Sequence, residues 1–137
     1  MPSEVSVALR RSVIELSKGK CEYCTLHQDF SIYTHEIDHV IAMKHGGRTV
    51  NENLALSCLS CNRHKGSDLT SFDPVTGDVT RLFDPRSQVW AEHFELDRGR
   101  IRGLSAIGRT TVMLLKFNTS TAVLNRQLWQ QVQSGLD

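Results

Sequence analysis

An α+β fold is predicted from three observations. Val5, Leu9, Val13 and Leu16 recur at helical spacing near the N-terminus. Two short runs, residues 30–38 and 54–57, are rich in apolar and β-branched types and are separated by Gly46-Gly47. Four cysteines arrive as two C-x2-C pairs, Cys21/Cys24 and Cys58/Cys61, that bracket those runs. A strand, a loop, a strand and a helix with cysteines pinning the open ends make a compact ββα unit, over about residues 18–70. An N-terminal helix precedes it, and a β/α extension of about residues 71–137 follows. A length of 137 residues favours one domain over 1–137.

Each element has its own signal. Pro2 and Ser3 offer a helix start, with Glu4 in the first turn, so residues 4–17 are expected to be helical with the apolar stripe buried. Gly19 ends that helix, and CEYC (21–24) makes a tight knuckle. The second knuckle leads into a helix beginning near Ser60 and closed by Gly66. Further on, Asp73-Pro74 and Thr76-Gly77-Asp78 are turn signals before a strand at Val79–Phe83. Ser87 is expected to cap a short helix ending at His93. Phe94–Leu96 and Ile101–Leu104 flank Asp97-Arg98-Gly99-Arg100 as a hairpin. Residues 109–116 read as helical, and Thr119 or Ser120 starts a last helix with Val123 or Leu124, Leu128 and Val132 on one stripe.

Composition narrows the class without naming it. The hydrophobic share of 39% is enough for a globular core. No apolar run reaches membrane-span length and no signal-peptide pattern is present, so a cytoplasmic protein is expected. Net charge is +1, so overall charge does not announce a nucleic-acid binder. Lys44, His45, Arg48, Arg63, His64 and Lys65 nevertheless fall in or beside one stretch. The two C-x2-C pairs, 33 residues apart, read as a zinc site rather than two disulfides in a reducing compartment. Four thiolates leave no open position on the ion, so that zinc is expected to be structural.

The stretch from His35 to Gly66, HEIDHVIAMKHGGRTVNENLALSCLSCNRHKG, carries a second chemistry. Asp38 offers a hard anionic oxygen for a magnesium-class ion. His39, beside it, is a residue type that exchanges protons near neutral pH. Adjacent side chains on a strand face opposite ways, so the strand must end or bend here for both to serve one centre. Asn62 follows zinc ligand Cys61, which fixes where its amide points. His64 competes as a ligand, but residues two apart on a helix do not face each other. Helix geometry therefore favours Asn62 for the hard ion and leaves His64 near the knuckle or a phosphate.

D-H, then N-L at Asn53-Leu54, then C-x2-C-N-x2-K-G resembles the HNH nuclease family, the ββα-metal or His-Me finger group with a treble-clef-like core. The 24-residue step from Asp38 to Asn62, with Asn53 between, is also similar to the HNH domain of CRISPR effector nucleases. More loosely, LFDPRSQVWAEHFEL (82–96) and GRTTVMLLKFN (108–118) look like the tail of stand-alone bacterial HNH proteins. The resemblance implies that His39 is the general base, that Asp38 and Asn62 hold one divalent ion, Mg²⁺ or Mn²⁺, and that Asn53 braces the loop carrying the base. It implies an endonuclease acting on double-stranded DNA and leaving 5′-phosphate and 3′-hydroxyl ends. Two positions depart from the family. Asn62 stands where histidine is frequent, and Ala42 where many members carry proline.

Arg63, Lys65, His64 and Arg86 are the candidate nucleic-acid contacts. The other polar residues read more simply. His35 suits a packed strand histidine, Glu36 an exposed strand carboxylate, and Trp90 and His93 packing in the tail; His45, in the loop, is left to a phosphate or to no contact, and His27 has no assigned partner. The competing function is a zinc-stapled nucleic-acid-binding module without catalysis. It accounts for the cysteines and basic residues but gives no reason for Asp38-His39 with Asn53 and Asn62.

Overall fold

The computed structural model describes residues 5–135. The expected helix start at Pro2, Ser3 and Glu4 lies outside them. Within them α1 runs Val7–Ser17, capped by Ser6, whose hydroxyl accepts from Leu9 N at 3.1 Å. Its buried side is Val13 with Leu9 and Ile14, packed on Leu54 and Leu56. Leu16, expected in the stripe, is 63% exposed, because the strand pair covers only one narrow face of the helix.

The ββα unit forms where it was expected, with a shorter first strand. β1 (Glu36–His39) pairs antiparallel with β2 (Leu54–Ser57), Asp38 opposite Ala55 and His39 opposite Leu54. Residues 30–35 are not strand. β2 has four residues, so the earlier part of the run finds no pairing partner. Instead Ser31 Oγ donates to Tyr33 O at 2.8 Å, and Ile32 and Tyr33 are exposed. All of β2 is buried, between α1 on one side and the cysteine cluster on the other. α2 (Leu59–Lys65) starts with Cys58 as its cap and ends at Gly66, whose φ of 51° suits glycine.

The extension holds two further hairpins and three helices. β4 (Val79–Arg81) pairs with β3 (Thr70–Phe72), a strand with no sequence signal beyond the turn that closes it. α3 is one turn, Trp90–His93. Ser87 does not cap it; Asp84 organises that segment, its Oδ1 accepting from Arg86 N at 2.8 Å. β5 (Phe94–Asp97) and β6 (Arg100–Gly103) form the expected hairpin, with Arg98 and Gly99 both at positive φ in a two-residue turn. β6 meets α4 (Ala106–Leu114) closely: a Cβ on Gly103 would fall 2.4 Å from Arg109 N.

α5 (Ser120–Gly135) docks by a different face from the one its leucines suggest. Leu124, Leu128 and Val132 are 54%, 41% and 44% exposed. The buried side is Arg126, which donates from Nε to Gly99 O at 2.7 Å and from Nη2 to Phe117 O. Trp129, one turn on, stacks on His27 with ring centroids 4.3 Å apart. A hydrogen-bonded guanidinium and one indole thus replace the aliphatic stripe as the anchor. One apolar cluster joins the knuckles to the extension, from Cys21, Tyr23, Cys58 and Cys61 through Phe83, Phe94 and Phe117.

Candidate metal centre and active site

The two knuckles close on each other across β1 and β2. The sulfurs of Cys21, Cys24, Cys58 and Cys61 all lie within 4.8 Å of one another, and all four residues are buried. Cys24 Sγ and Cys58 Sγ are 3.7 Å apart, and no disulfide forms among the four. Zinc–sulfur bonds of about 2.3 Å in a tetrahedron put sulfurs about 3.8 Å apart, so the cage has the right size. Cys24 N donates to Cys21 Sγ and Cys61 N to Cys58 Sγ, both at 3.4 Å, which turns the lone pairs inward. Hydrogen bonds from Cys21, Cys58 and Cys61 hold the Cys24 thiol well below the ordinary range, whereas burial pushes Cys61 well above it. Four thiolates in this space require a cation. The donor set fits the structural zinc inferred from spacing.

β1 ends at His39, so Asp38 and His39 diverge at the strand terminus. Asp38 turns inward and is 6% exposed. Its Oδ2 accepts from Tyr23 Oη at 2.7 Å and lies 3.1 Å from Lys65 Nζ. Among the described residues Oδ1 takes no hydrogen bond. Burial pushes the Asp38 carboxyl above its usual range, while the Lys65 ammonium and the Tyr23 hydroxyl pull it back. His39 turns the other way, half-buried, with Nε2 2.9 Å from Thr49 Oγ1.

Asn53 closes the loop between them. Its Oδ1 accepts from Ile41 N at 2.8 Å, and its Nδ2 donates to Ile41 O and Arg48 O, each at 2.9 Å. The chain from 41 to 48 is therefore tied at both ends by one amide. Gly47 lies in the same knot, where a Cβ would fall 1.7 Å from Ile41 O.

Asn62 lies on α2, half-buried, and its side chain makes no hydrogen bond among the described residues. It is three residues from Lys65, and residues so spaced share a helix face. That face meets β1, since Lys65 Nζ reaches Asp38 and donates to Val40 O at 3.0 Å.

Residues 21–68 match the family model described as HNH endonuclease. This segment is similar to an HNH endonuclease domain. The Septu protein PtuB of Bacillus thuringiensis is 26% identical to the chain over 112 residues, which is 80% of this chain and 41% of that protein. The chain thus spans less than half the length of that curated relative. No solved structure gives a significant match.

Around this segment the basic residues separate into exposed and engaged groups. Arg63 is exposed on α2, and Lys44 and Arg48 are exposed in the loop after His39, where His45 is engaged, its Nε2 3.1 Å from Ser67 O. Lys65 is not a surface contact as expected. It is 2% exposed and engaged by Asp38 and the carbonyls of His39 and Val40. Arg86 is likewise withdrawn, paired with Glu22 inside the first knuckle. His64 Nδ1 sits 2.8 Å from Ser60 O, a local bond within its own helix. A cleft of about 450 Å³ lies between Ile32, His64 and Lys116 and contains neither Asp38 nor His39.

Several participants carried no readable sequence signal. Tyr23 lies between two ligands of the first knuckle and is fully buried with its hydroxyl on Asp38. Thr49 is ten residues from the histidine it meets. His35 is the packed residue expected, with Nε2 2.8 Å from Leu26 O, although it lies outside the strand. Among the described residues no helix is long and apolar enough to cross a membrane.

Proposed function

We propose that the chain is a metal-dependent endonuclease that hydrolyses phosphodiester bonds in DNA, with 1–137 acting as one domain. The observation that carries this reading is the pair of open atoms at the end of β1. Asp38 keeps one carboxylate oxygen without a partner, and His39 has one ring nitrogen on Thr49 and the other without a partner among the described residues. Asp38 Oδ1 and the Asn62 amide oxygen form a hard-oxygen pair suited to Mg²⁺ or Mn²⁺. When bound, that ion polarises the phosphate and stabilises the departing 3′ oxygen.

His39 supplies the base. With Nε2–H donating to Thr49, the lone pair resides on Nδ1, which takes the proton from water as it attacks phosphorus. Asn53 holds the loop so that this nitrogen keeps its aim. Arg63, with Lys44 and Arg48, neutralises the backbone of a DNA duplex. Products carry 5′-phosphate and 3′-hydroxyl ends. Cys21, Cys24, Cys58 and Cys61 hold a structural zinc, which suits a cytoplasmic site of action where thiols stay reduced.

The Lys65 ammonium, which already neutralises Asp38, favours the other reading, a zinc-stapled DNA-binding module without catalysis. Nicking of supercoiled plasmid separates them. The nuclease reading expects relaxed circles with Mg²⁺ or Mn²⁺ and none with EDTA or with Asp38→Ala. DNA binding without nicking under every metal condition would leave the binding module.

A further inference from the structure

Both zinc knuckles send a group to the same oxygen of the same carboxylate, one by a hydrogen bond and one by an ion pair. Tyr23 sits between Cys21 and Cys24, and its hydroxyl donates to Asp38 Oδ2 at 2.7 Å. Lys65 lies one helical turn beyond Cys61, and its ammonium is 3.1 Å from that oxygen. Among the described residues neither group makes a hydrogen bond to Oδ1. Tyr23 is fully buried, and its backbone carbonyl accepts from Trp90 Nε1 at 2.8 Å, so its main chain and its hydroxyl are both tied. The Lys65 ammonium lies 5.9 Å from the centre of that ring, which packs the two donors together.

We propose that Tyr23 is a positioning residue that keeps Asp38 Oδ1 open for the divalent ion, and so couples the zinc cage to that ion's affinity. The proposal rests on the nuclease reading above. The terminal torsion of an aspartate is soft. With Lys65 as its only donor, the carboxylate can swing to share both oxygens with the ammonium. The Tyr23 hydroxyl blocks that motion by claiming Oδ2 from a second direction. Hydrogen bonds behind a metal-binding carboxylate typically change ion affinity by about 10- to 100-fold.

Tyr23→Phe removes one hydroxyl and keeps the ring. Manganese binding, read by electron paramagnetic resonance on the zinc-loaded protein without DNA, should weaken by about tenfold or more. The Mn²⁺ concentration for half-maximal nicking should rise by the same factor, with a much smaller fall in the rate at saturating Mn²⁺. A folded, zinc-loaded variant that binds Mn²⁺ like the wild type overturns the proposal. A wild type that neither binds Mn²⁺ nor nicks removes the nuclease reading itself, which is a separable result. Should Tyr23→Phe fail to fold, wild-type protein carrying 3-fluorotyrosine answers the same question. Titration with Mg²⁺ should shift the Tyr23 fluorine resonance and leave that of exposed Tyr33 in place; two unmoved resonances at saturating Mg²⁺ overturn the proposal.

Discussion

Asp38 shows how one residue is made fit for a task. A buried carboxylate is costly unless paired. Here burial raises its proton affinity, and Lys65 and Tyr23 offset that on a single oxygen. The His39 ring, one position on, hydrogen-bonds only Thr49 among the described residues. Replacement of His39 by alanine is expected to lower nicking by about 100- to 10,000-fold, the usual range for a lost general base. Zinc content and melting temperature should stay near wild type; unchanged nicking would remove the base assignment. Asp73 illustrates the opposite setting. Arg109 grips it with Nε at 3.0 Å and Nη2 at 2.7 Å, which holds its carboxyl well below the ordinary range. A depressed native value stabilises fully above the unfolded value of about 4 and is lost as pH falls below it. The stability gap between wild type and Asp73→Asn should therefore close on acidification through that window. Asp38 and Glu22, held above the ordinary range, act with the opposite sign but are common to both proteins. A gap independent of pH in thermal melts would contradict the role given to Arg109.

At the level of elements, the loop after β1 is held by few contacts. Asn53 makes three hydrogen bonds to Ile41 and Arg48, and Gly47 fits only because it has no side chain. Asn53→Ala should cost about 2 kcal/mol, given roughly 0.5–1.5 kcal/mol per net hydrogen bond. Chemical denaturation measures this, and a cost near zero would show that the knot does not hold the loop. Gly47→Ala should lower nicking severely, since its Cβ meets Ile41 backbone, whereas the neighbouring Gly46 has open space and only its positive φ to satisfy. The ββα unit itself was legible because its signals are local and chemical. Cysteine spacing, the Gly-Gly loop and the helix-closing Gly66 each act within a few residues. The strand at 30–38 was overcalled because β propensity needs a partner, and β2 offers only four residues. The final helix was read by its leucines, whereas tertiary contacts chose Arg126 and Trp129. A buried arginine has no periodic signature, since its partners are carbonyls of other segments. Tyr23 and Lys65 were hidden for the same reason: their partner is 15 or more residues away and meets them only after folding.

For the whole molecule the cysteine cage is the junction. β1 and β2 lie over it, both knuckles line it, and the aromatic core of the extension continues from it. Cys58→Ser should unfold more than the knuckle, because structural zinc contributes on the order of 10 kcal/mol in small domains. Loss of helical circular dichroism together with zinc release is the expected outcome; a folded, zinc-free variant would show that the cage is not a staple. The most direct measurement of the central claim is anomalous diffraction from crystals grown with Mn²⁺, collected at the zinc and manganese edges. The account expects zinc among the sulfurs of Cys21, Cys24, Cys58 and Cys61, and manganese on Asp38 Oδ1 and the Asn62 amide oxygen with His39 uncoordinated. Manganese bound through His39, or absent from the end of β1 at saturating concentration, would contradict it.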